Sequence, residues 1–164
     1  MDISISEEVT GEYIKDVRDI LGSKEFLRLN HYTHHHWTTR LMHSLNVSYI
    51  SWLIARKLNC DARSVARAGL LHDFCLYDFK DGTPTGEFQA FYHPKFAARS
   101  SAELFEISDL ERDAILSHMF PLGPLPKSKE AWIITMADKF CASVELCHVA
   151  IALARRNRIM ISQA

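Results

Sequence analysis

The sequence predicts an all-α protein of about six helices, and three observations support this prediction. Apolar residues recur at helical spacing along most of the chain, and no segment alternates apolar with polar residues as a half-buried strand does. No sequence repeat of solenoid length occurs. The 164 residues, 48% of them hydrophobic, are enough for one packed core and too few for two ordinary domains. We therefore expect a single domain spanning residues 1–164.

The first half of the chain contains three predicted helices. The first runs from about Glu7 to Leu21. After a polar, histidine-rich connection at 31–37, the second runs from about Thr38 to Leu58. Asp61 is suited to cap the third helix, because its carboxylate can accept a hydrogen bond from a free backbone N–H of the first turn. Small residues of that helix, among them Gly69, permit close approach of a neighbouring helix.

Three further helices are expected after a long loop at 77–91 that we expect to line an entrance. Their bounds are about 93–105, 108–118 and 129–154. Pro94 is tolerated in the first turn of the earliest of these, where a missing N–H has no partner in any case. Ser108 and Glu111 form a capping box at the start of the next helix.

Composition excludes several classes of partner and location. The formal charge is −1, from 19 basic and 20 acidic side chains, so no overall field attracts nucleic acid or an anionic membrane. No apolar stretch reaches the roughly 18 residues that a membrane span needs, and the first residues form no signal peptide. The four cysteines show no C-x-x-C spacing. We expect a cytoplasmic protein with reduced thiols that binds neither membranes nor nucleic acid.

Histidine and aspartate residues recur in the order H…HD…H…H…D. These residues are His43, His72, Asp73, His93, His118 and Asp138. The helical spacing of their apolar neighbours places them on inward faces or at inward helix ends. A buried carboxylate is costly to desolvate unless a cation or a partner compensates, and imidazole with carboxylate suits first-row metal ions. Six such residues exceed the needs of one tetrahedral ion, so the sequence predicts a metalloenzyme.

Short motifs around these residues resemble those of a known superfamily. They are L-L-H-D at 70–73, H-D-F-x-L-Y-D at 72–78, H-P-K at 93–95, H-M-F-P-L at 118–122 and A-D-K-F-C at 137–141. Together with His43, they resemble the HD-domain superfamily of metal-dependent phosphohydrolases, in particular its small stand-alone bacterial members. The resemblance covers about 34–147 and leaves 1–30 as an N-terminal helical extension. It implies a helical bundle around a central metal site.

The resemblance also implies a ligand set and a reaction. His43, His72 and Asp138 would hold one divalent metal ion, His93 and His118 a second, and Asp73 would bridge the two. Iron or manganese is expected first, with zinc, nickel, cobalt or magnesium as alternatives. The implied reaction is hydrolysis of a phosphate ester of a small metabolite or nucleotide, with a hydroxide that bridges the metals as nucleophile.

Further side chains are candidates for a catalytic role. Arg40, Lys139 and Lys95 are cations that could neutralise a phosphate, with a surface or helix-capping role as the alternative for Arg40. His35, eight residues ahead of His43, is the candidate to donate a proton to the leaving oxygen, while a solvated loop is the alternative for the whole 31–36 cluster. Glu145 lies on the stripe of Asp138 and is expected either to support a metal ligand or to form an ion pair.

Two other functions are compatible with the same ligand order. A few proteins of the H…HD…H…H…D type resemble myo-inositol oxygenase and use a di-iron pair to activate O₂. A non-catalytic sensor that binds a nucleotide and signals through a partner is the third class. The loss of a metal ligand would favour such a role, and no ligand is missing here. The candidate cationic side chains Arg40, Lys95 and Lys139 favour the hydrolase over these alternatives. The first helix is expected either to cover the bundle or to form the contact face of an oligomer.

Overall fold

The computed structural model describes residues 7–34 and 38–146, most of which belong to seven α-helices. Their bounds are α1 Glu7–Leu21, α2 Lys24–Leu27, α3 Arg40–Lys57, α4 Ala62–Leu71, α5 Gln89–Leu104, α6 Asp109–Ser117 and α7 Lys129–Leu146. The described residues contain no β-strand, so the all-α prediction is confirmed. None of these helices combines the length and apolarity that crossing a membrane requires. The expected end of the last helix, at residue 154, lies outside the described residues.

Side-chain caps set the starts of several helices. Asp61 caps α4 as predicted, with its carboxylate 3.0 Å from the backbone nitrogen of Ser64. The predicted capping box at the start of α6 is also present: the N–H of Glu111 donates to the Ser108 hydroxyl, and the Ser108 N–H donates back to the Glu111 carboxylate. Because each cap satisfies a backbone donor that the helix itself leaves free, these short polar signals fix where the helices begin.

Helix α5 begins about one turn earlier than predicted. It starts at Gln89, so Pro94 is its sixth residue instead of lying in the first turn. The backbone N–H groups of Phe91 and Tyr92 both donate to the carbonyl of Phe88, which closes a helical turn ahead of the proline. The prediction was wrong because a proline near a helix start does not show how many residues precede it. The additional helical turn at the start of α5 places Gln89 near the predicted metal ligands.

Helix α4 lies at the centre of the bundle and packs against α1, α3, α6 and α7. All of its residues from 65 to 71 are buried. Close approach to α3 occurs at Gly69, where an added Cβ would lie 2.7 Å from Cα of Ser48. The Ser48 hydroxyl donates to the carbonyl of Ala66 at 2.6 Å across the same contact. The predicted close packing is confirmed, and it fixes the distance between the helices that lead to two of the predicted ligands.

Helix α1 covers the bundle. Its Tyr13 is fully buried, and the phenol oxygen lies 2.9 Å from the hydroxyl of Ser48 on α3. Its Asp19 accepts a hydrogen bond from Arg67 of α4 at 2.5 Å, and Arg67 also donates to Glu111 of α6 at 2.7 Å. The buried guanidinium thus joins three helices. Of the two roles considered for the first helix, covering the bundle is the one that the structure shows.

Candidate metal centre

The residues of the H…HD…H…H…D order lie together at one end of α4. They come from α3, the two positions after α4, α5, the position after α6, and α7. Each is buried, and in chain order they are His43, His72, Asp73, His93, His118 and Asp138. Five separate helices therefore supply one cluster of imidazole nitrogens and carboxylate oxygens.

One half of the cluster is formed by His43, His72 and Asp138. Oδ1 of Asp138 lies 3.1 Å from Nε2 of His43 and 3.5 Å from Nε2 of His72. One ligand atom from each of the three residues lies within 4.8 Å of the other two, so the three residues could hold a metal ion. Two imidazoles and a carboxylate are a donor set that zinc, iron and manganese all accept.

The other half contains His93 and His118, whose Nε2 atoms are 2.9 Å apart. Oδ1 of Asp73 lies 3.3 Å from Nε2 of His93 and 3.7 Å from Nε2 of His118. The second oxygen of the same carboxylate, Oδ2, lies 3.7 Å from Nε2 of His72. Asp73 therefore stands between the two halves and presents one oxygen to each.

Backbone carbonyls orient three of the imidazoles. In each case Nδ1 is within hydrogen-bonding distance of a carbonyl oxygen of the preceding turn: His72 with Gly69 at 2.8 Å, His93 with Gln89 at 2.8 Å and His118 with Ile115 at 2.7 Å. A carbonyl oxygen only accepts, so Nδ1 carries the proton in all three rings. Nε2 of each ring then faces the cluster, and in the neutral ring this nitrogen carries the lone pair that a metal ligand requires.

In these tautomers, the cluster contains lone pairs that a bound cation could compensate. The Nε2 lone pairs of His93 and His118 face each other at 2.9 Å, an arrangement that is repulsive without a proton or a cation between them. Nε2 of His72 and Oδ1 of Asp73 are buried with no hydrogen-bond partner among the described residues. Buried polar atoms are costly to leave unpaired. The donor set thus fits divalent metal ions.

Electrostatics favour the protonation states that bind metal at Asp73 and His118. Burial alone would raise the pKa of Asp73, but the surrounding histidines, His72 first, hold it well below its usual range, so the carboxylate is anionic. Burial, together with His72 and His93, lowers the pKa of His118 to about 3, so this imidazole is neutral. Metal ligands must be deprotonated in just this sense.

His43 carries a proton that a metal ion would replace. Burial lowers its pKa, but Asp138 and Glu145, on opposite ring nitrogens, outweigh burial and raise it to about 10. Both oxygens of Glu145 lie within 3.1 Å of Nδ1, leaving Nε2 directed at Asp138. Of the two roles expected for Glu145, support of a ligand histidine is the one that its position favours. A cation at Nε2 satisfies Asp138 in place of the proton.

A comparison with protein families agrees with this geometry. The family model described as HD domain matches residues 40–143, which is well over half of the chain. The chain belongs to the HD-domain family. HD domains are commonly metal-dependent hydrolases that bind divalent ions, and the cluster supplies His and Asp groups that could hold them. A search of curated proteins gave no match to this chain.

His34 lies six residues before the segment that matches the HD-domain model, and the sequence did not single it out. Its ring stacks on that of His43 with centroids 3.9 Å apart, and its Nδ1 lies 3.8 Å from Oδ2 of Asp73. Together these three residues form another group that could hold a metal ion. His35, the predicted proton donor, lies outside the described residues. The run of histidines at 34–36 was the available signal, but spacing alone did not show which one faces the cluster.

The candidate cations of the HD domain occupy different surroundings. Lys139 is half-buried, and its Nζ donates to the carbonyl of His118 at 2.9 Å. Burial lowers the pKa of its ammonium group, while the neighbouring Asp138 opposes that shift. Lys95 is exposed and forms a 2.7 Å ion pair with Glu87. Lys139 is thus the lysine that the structure brings to the cluster.

Arg40 lies in neither of the positions that the sequence suggested. Its side chain is fully buried, so it has no surface role, and Thr39 instead caps α3. Nη1 donates to the backbone carbonyls of Cys75 and Tyr77, and the guanidinium lies 3.7 Å from the ring centre of Phe79. Arg40 therefore holds in place the segment that follows His72 and Asp73. This role depends on the path of the loop, so it could not be predicted from residue spacing.

A cavity of about 480 Å³ opens beside the metal centre. Its inner end is formed by His and Asp residues of the cluster, including Asp73 and Asp138, and by His34. Lys139 lies at its wall, whereas Lys95 and Arg40 do not line it. The volume lies in the ordinary range for small-molecule sites. Charged groups of the cluster thus lie at the end of a pocket whose volume is that of a small-molecule site.

Proposed function

We propose that this protein is a phosphohydrolase that uses two divalent metal ions to cleave a small phosphate ester. The observation that carries the proposal is the position of Asp73, whose Oδ2 faces His72 while its Oδ1 faces His93 and His118. A carboxylate that presents its two oxygens to two groups of imidazoles supports the role of a bridging ligand. On this proposal His43, His72 and Asp138 hold one ion, and His93 and His118 the other.

Two divalent ions, when bound, lower the pKa of a water molecule and neutralise negative charge on phosphoryl oxygens. The protein's own residues supply the remaining requirements. Lys139 places a positive charge at the cavity wall, where it can offset charge that develops on the phosphoryl group. The carbonyl contacts of the imidazoles hold the ligand rings before substrate arrives, so that little reorganisation is needed.

The net reaction is hydrolysis of the ester to an alcohol and inorganic phosphate. The P–O bond to the alcohol breaks, the oxygen of water forms a new P–O bond, and one proton from water ends on the leaving oxygen, either directly or by exchange through solvent. The substrate is proposed to be a small phosphorylated compound, a class that includes nucleotides.

A phosphatase assay at controlled metal and oxygen content tests this function. We expect protein loaded with Mn²⁺ to release phosphate from aryl and alkyl phosphates equally well under air and under nitrogen. Activity that requires iron and consumes O₂ would instead support the oxygenase class. Absence of phosphate release with Mn²⁺, Fe²⁺, Co²⁺, Ni²⁺, Zn²⁺ and Mg²⁺ alike would overturn the proposal.

A further inference from the structure

The lining of the cavity beside the metal centre carries information about the substrate. We propose that the protein prefers phosphomonoesters whose alcohol part is apolar and comparable in size to an aromatic ring. This inference rests on the proposed hydrolase function and narrows its substrate class.

The burial of the lining residues divides the cavity into a polar inner end, where the side chains are buried, and an apolar outer part, where they are partly or largely exposed. Metal-ligand residues form the inner end, where a phosphoryl group would sit. The outer part is walled chiefly by carbon, from Phe79, Phe88, Met119, Phe120 and Leu122. Apolar surface removed from water on binding favours a ligand in proportion to its buried area. A substrate with its phosphate at the inner end therefore places its alcohol part against these side chains.

Two of the aromatic walls are held in place by neighbouring side chains. The ring of Phe79 lies between the Arg40 guanidinium, at 3.7 Å, and the His93 ring, at 5.5 Å. The ring of Phe120 packs edge to face on Trp132 at 5.3 Å. Walls that are fixed before binding lose little side-chain freedom when a ligand arrives. Because these two rings are already fixed, a rigid apolar group that is buried against them binds favourably.

Polar groups that could recognise a sugar or a base are scarce in the outer part. Among the described lining residues beyond His34 and the histidine and aspartate cluster, Lys139 and Gln89 alone have polar side chains. The amide nitrogen of Gln89 already donates to the Tyr77 hydroxyl at 3.0 Å, so Gln89 has only its amide oxygen, a single acceptor, to offer a ligand. One sugar hydroxyl could donate to the Gln89 amide oxygen, but the other hydroxyls of a polyhydroxylated alcohol would be desolvated against carbon, at a cost to binding. The lining thus disfavours polyhydroxylated alcohols.

Charge at the cavity also favours a single phosphoryl group. Lys139 is the one lysine or arginine among the described lining residues. Lys95 is paired with Glu87 away from the cavity, and Arg40 is enclosed by backbone carbonyls and Phe79. Each extra phosphate of a polyphosphate chain would extend from the metal centre into the apolar part without a cation to meet it.

The first test compares alkyl phosphomonoesters with similar leaving groups, and ATP, a phosphoanhydride, is added to test the polyphosphate chain. For Mn²⁺-loaded protein we expect kcat/KM for 2-phenylethyl phosphate to exceed that for glucose 6-phosphate, AMP and ATP by about tenfold or more. Phe88 lines the cavity mouth and is 62% exposed, so Phe88→Ala should leave the fold intact. We expect it to lower kcat/KM for the phenylethyl ester about tenfold and for glucose 6-phosphate by less than about twofold. Phe140→Ala, a similarly exposed residue that does not line the cavity, is the matched control.

The second test measures binding without turnover. We expect 2-phenylethylphosphonate to bind about tenfold more tightly than ethylphosphonate by calorimetry, and Phe88→Ala to remove most of this difference while Phe140→Ala keeps it. Hydrolysis with no preference for the phenylethyl ester, or equal losses on both esters in Phe88→Ala, would overturn the inference and leave the hydrolase standing. The phosphonate preference without hydrolysis of any ester would support the pocket and overturn the hydrolase.

Discussion

The two carboxylate oxygens of Glu145 lie 3.0 and 3.1 Å from Nδ1 of His43, and both side chains are fully buried. Glu145 lies on α7, two helical turns beyond Asp138. The two carboxylates of this one helix therefore contact both ring nitrogens of His43. A carboxylate on the outer nitrogen of a ligand histidine fixes the ring and makes the inner nitrogen more basic. Glu145 is thus placed to position His43, a candidate metal ligand.

We expect Glu145→Gln to weaken metal binding about tenfold to a hundredfold. The amide can still accept a hydrogen bond from Nδ1, so the change removes charge with little change in shape. Titration of metal-free protein with Mn²⁺, followed by calorimetry, measures the effect. The exposed Glu103→Gln variant is the control. Equal affinities in wild-type and Glu145→Gln protein would show that the contact serves packing alone.

Asp73→Asn tests the bridging carboxylate. The amide keeps the volume but loses the negative charge and one acceptor oxygen, so we expect the bound metal to fall by at least one ion per chain and phosphatase activity to be lost. Elemental analysis after dialysis against metal buffer gives the ion count. Asp78→Asn is a close control, because Asp78 caps the short helical turn 79–81 and is not part of the cluster. Full metal content and activity in Asp73→Asn would end the bridging assignment.

Replacement of Lys139 separates transition-state charge from metal binding. We expect Lys139→Met to lower kcat/KM for a phosphate monoester about tenfold to a hundredfold while metal content stays unchanged. Lys95→Met removes an exposed lysine that pairs with Glu87, and it should change kcat/KM by less than about twofold. A loss of similar size in both variants would point to a general effect of surface charge.

The buried ion pairs of Arg67 predict a stability effect distant from the metal centre. Arg67→Met leaves Glu111 buried without its cation and breaks the link to Asp19, so we expect a loss of about 3 kcal/mol in the free energy of unfolding. Urea denaturation monitored by circular dichroism provides the measurement. Arg63→Met, one turn earlier on the exposed face of α4, should lie within about 0.5 kcal/mol of wild type. A matching loss in Arg63→Met would contradict the role of the pairs.

Much of the fold could be predicted because its signals are local. The cap at Asp61 and the capping box at Ser108 and Glu111 act within one turn, and helical periodicity placed His43 and Asp138 on inward faces. An inward face on each helix is sufficient to predict convergence once the helices share one core. The ligand cluster was therefore accessible from the sequence, and the structure brings all of its predicted members together.

The remaining features depend on how loops pass over the bundle. Arg40 resembled a phosphate ligand by its distance from His43, yet the segment after the HD pair folds back to cover it. His34 meets Asp73 only because of the path that the chain takes before α3. The early start of α5 likewise arises from the turn at Phe88. Contacts between residues far apart in sequence, made by irregular segments, carry no periodicity from which to predict them.

The contact between Gly69 and Ser48 also determines how this protein can change by mutation. Any larger side chain at 69 would push α4 away from α3, and those two helices carry His72 and His43. One substitution there would alter the spacing of two ligands at once. The mouth of the cavity is different, because Phe88 is largely exposed and supports no helix contact of this kind. In a randomised library, new substrate preferences should therefore arise at the mouth, while position 69 tolerates almost no variation.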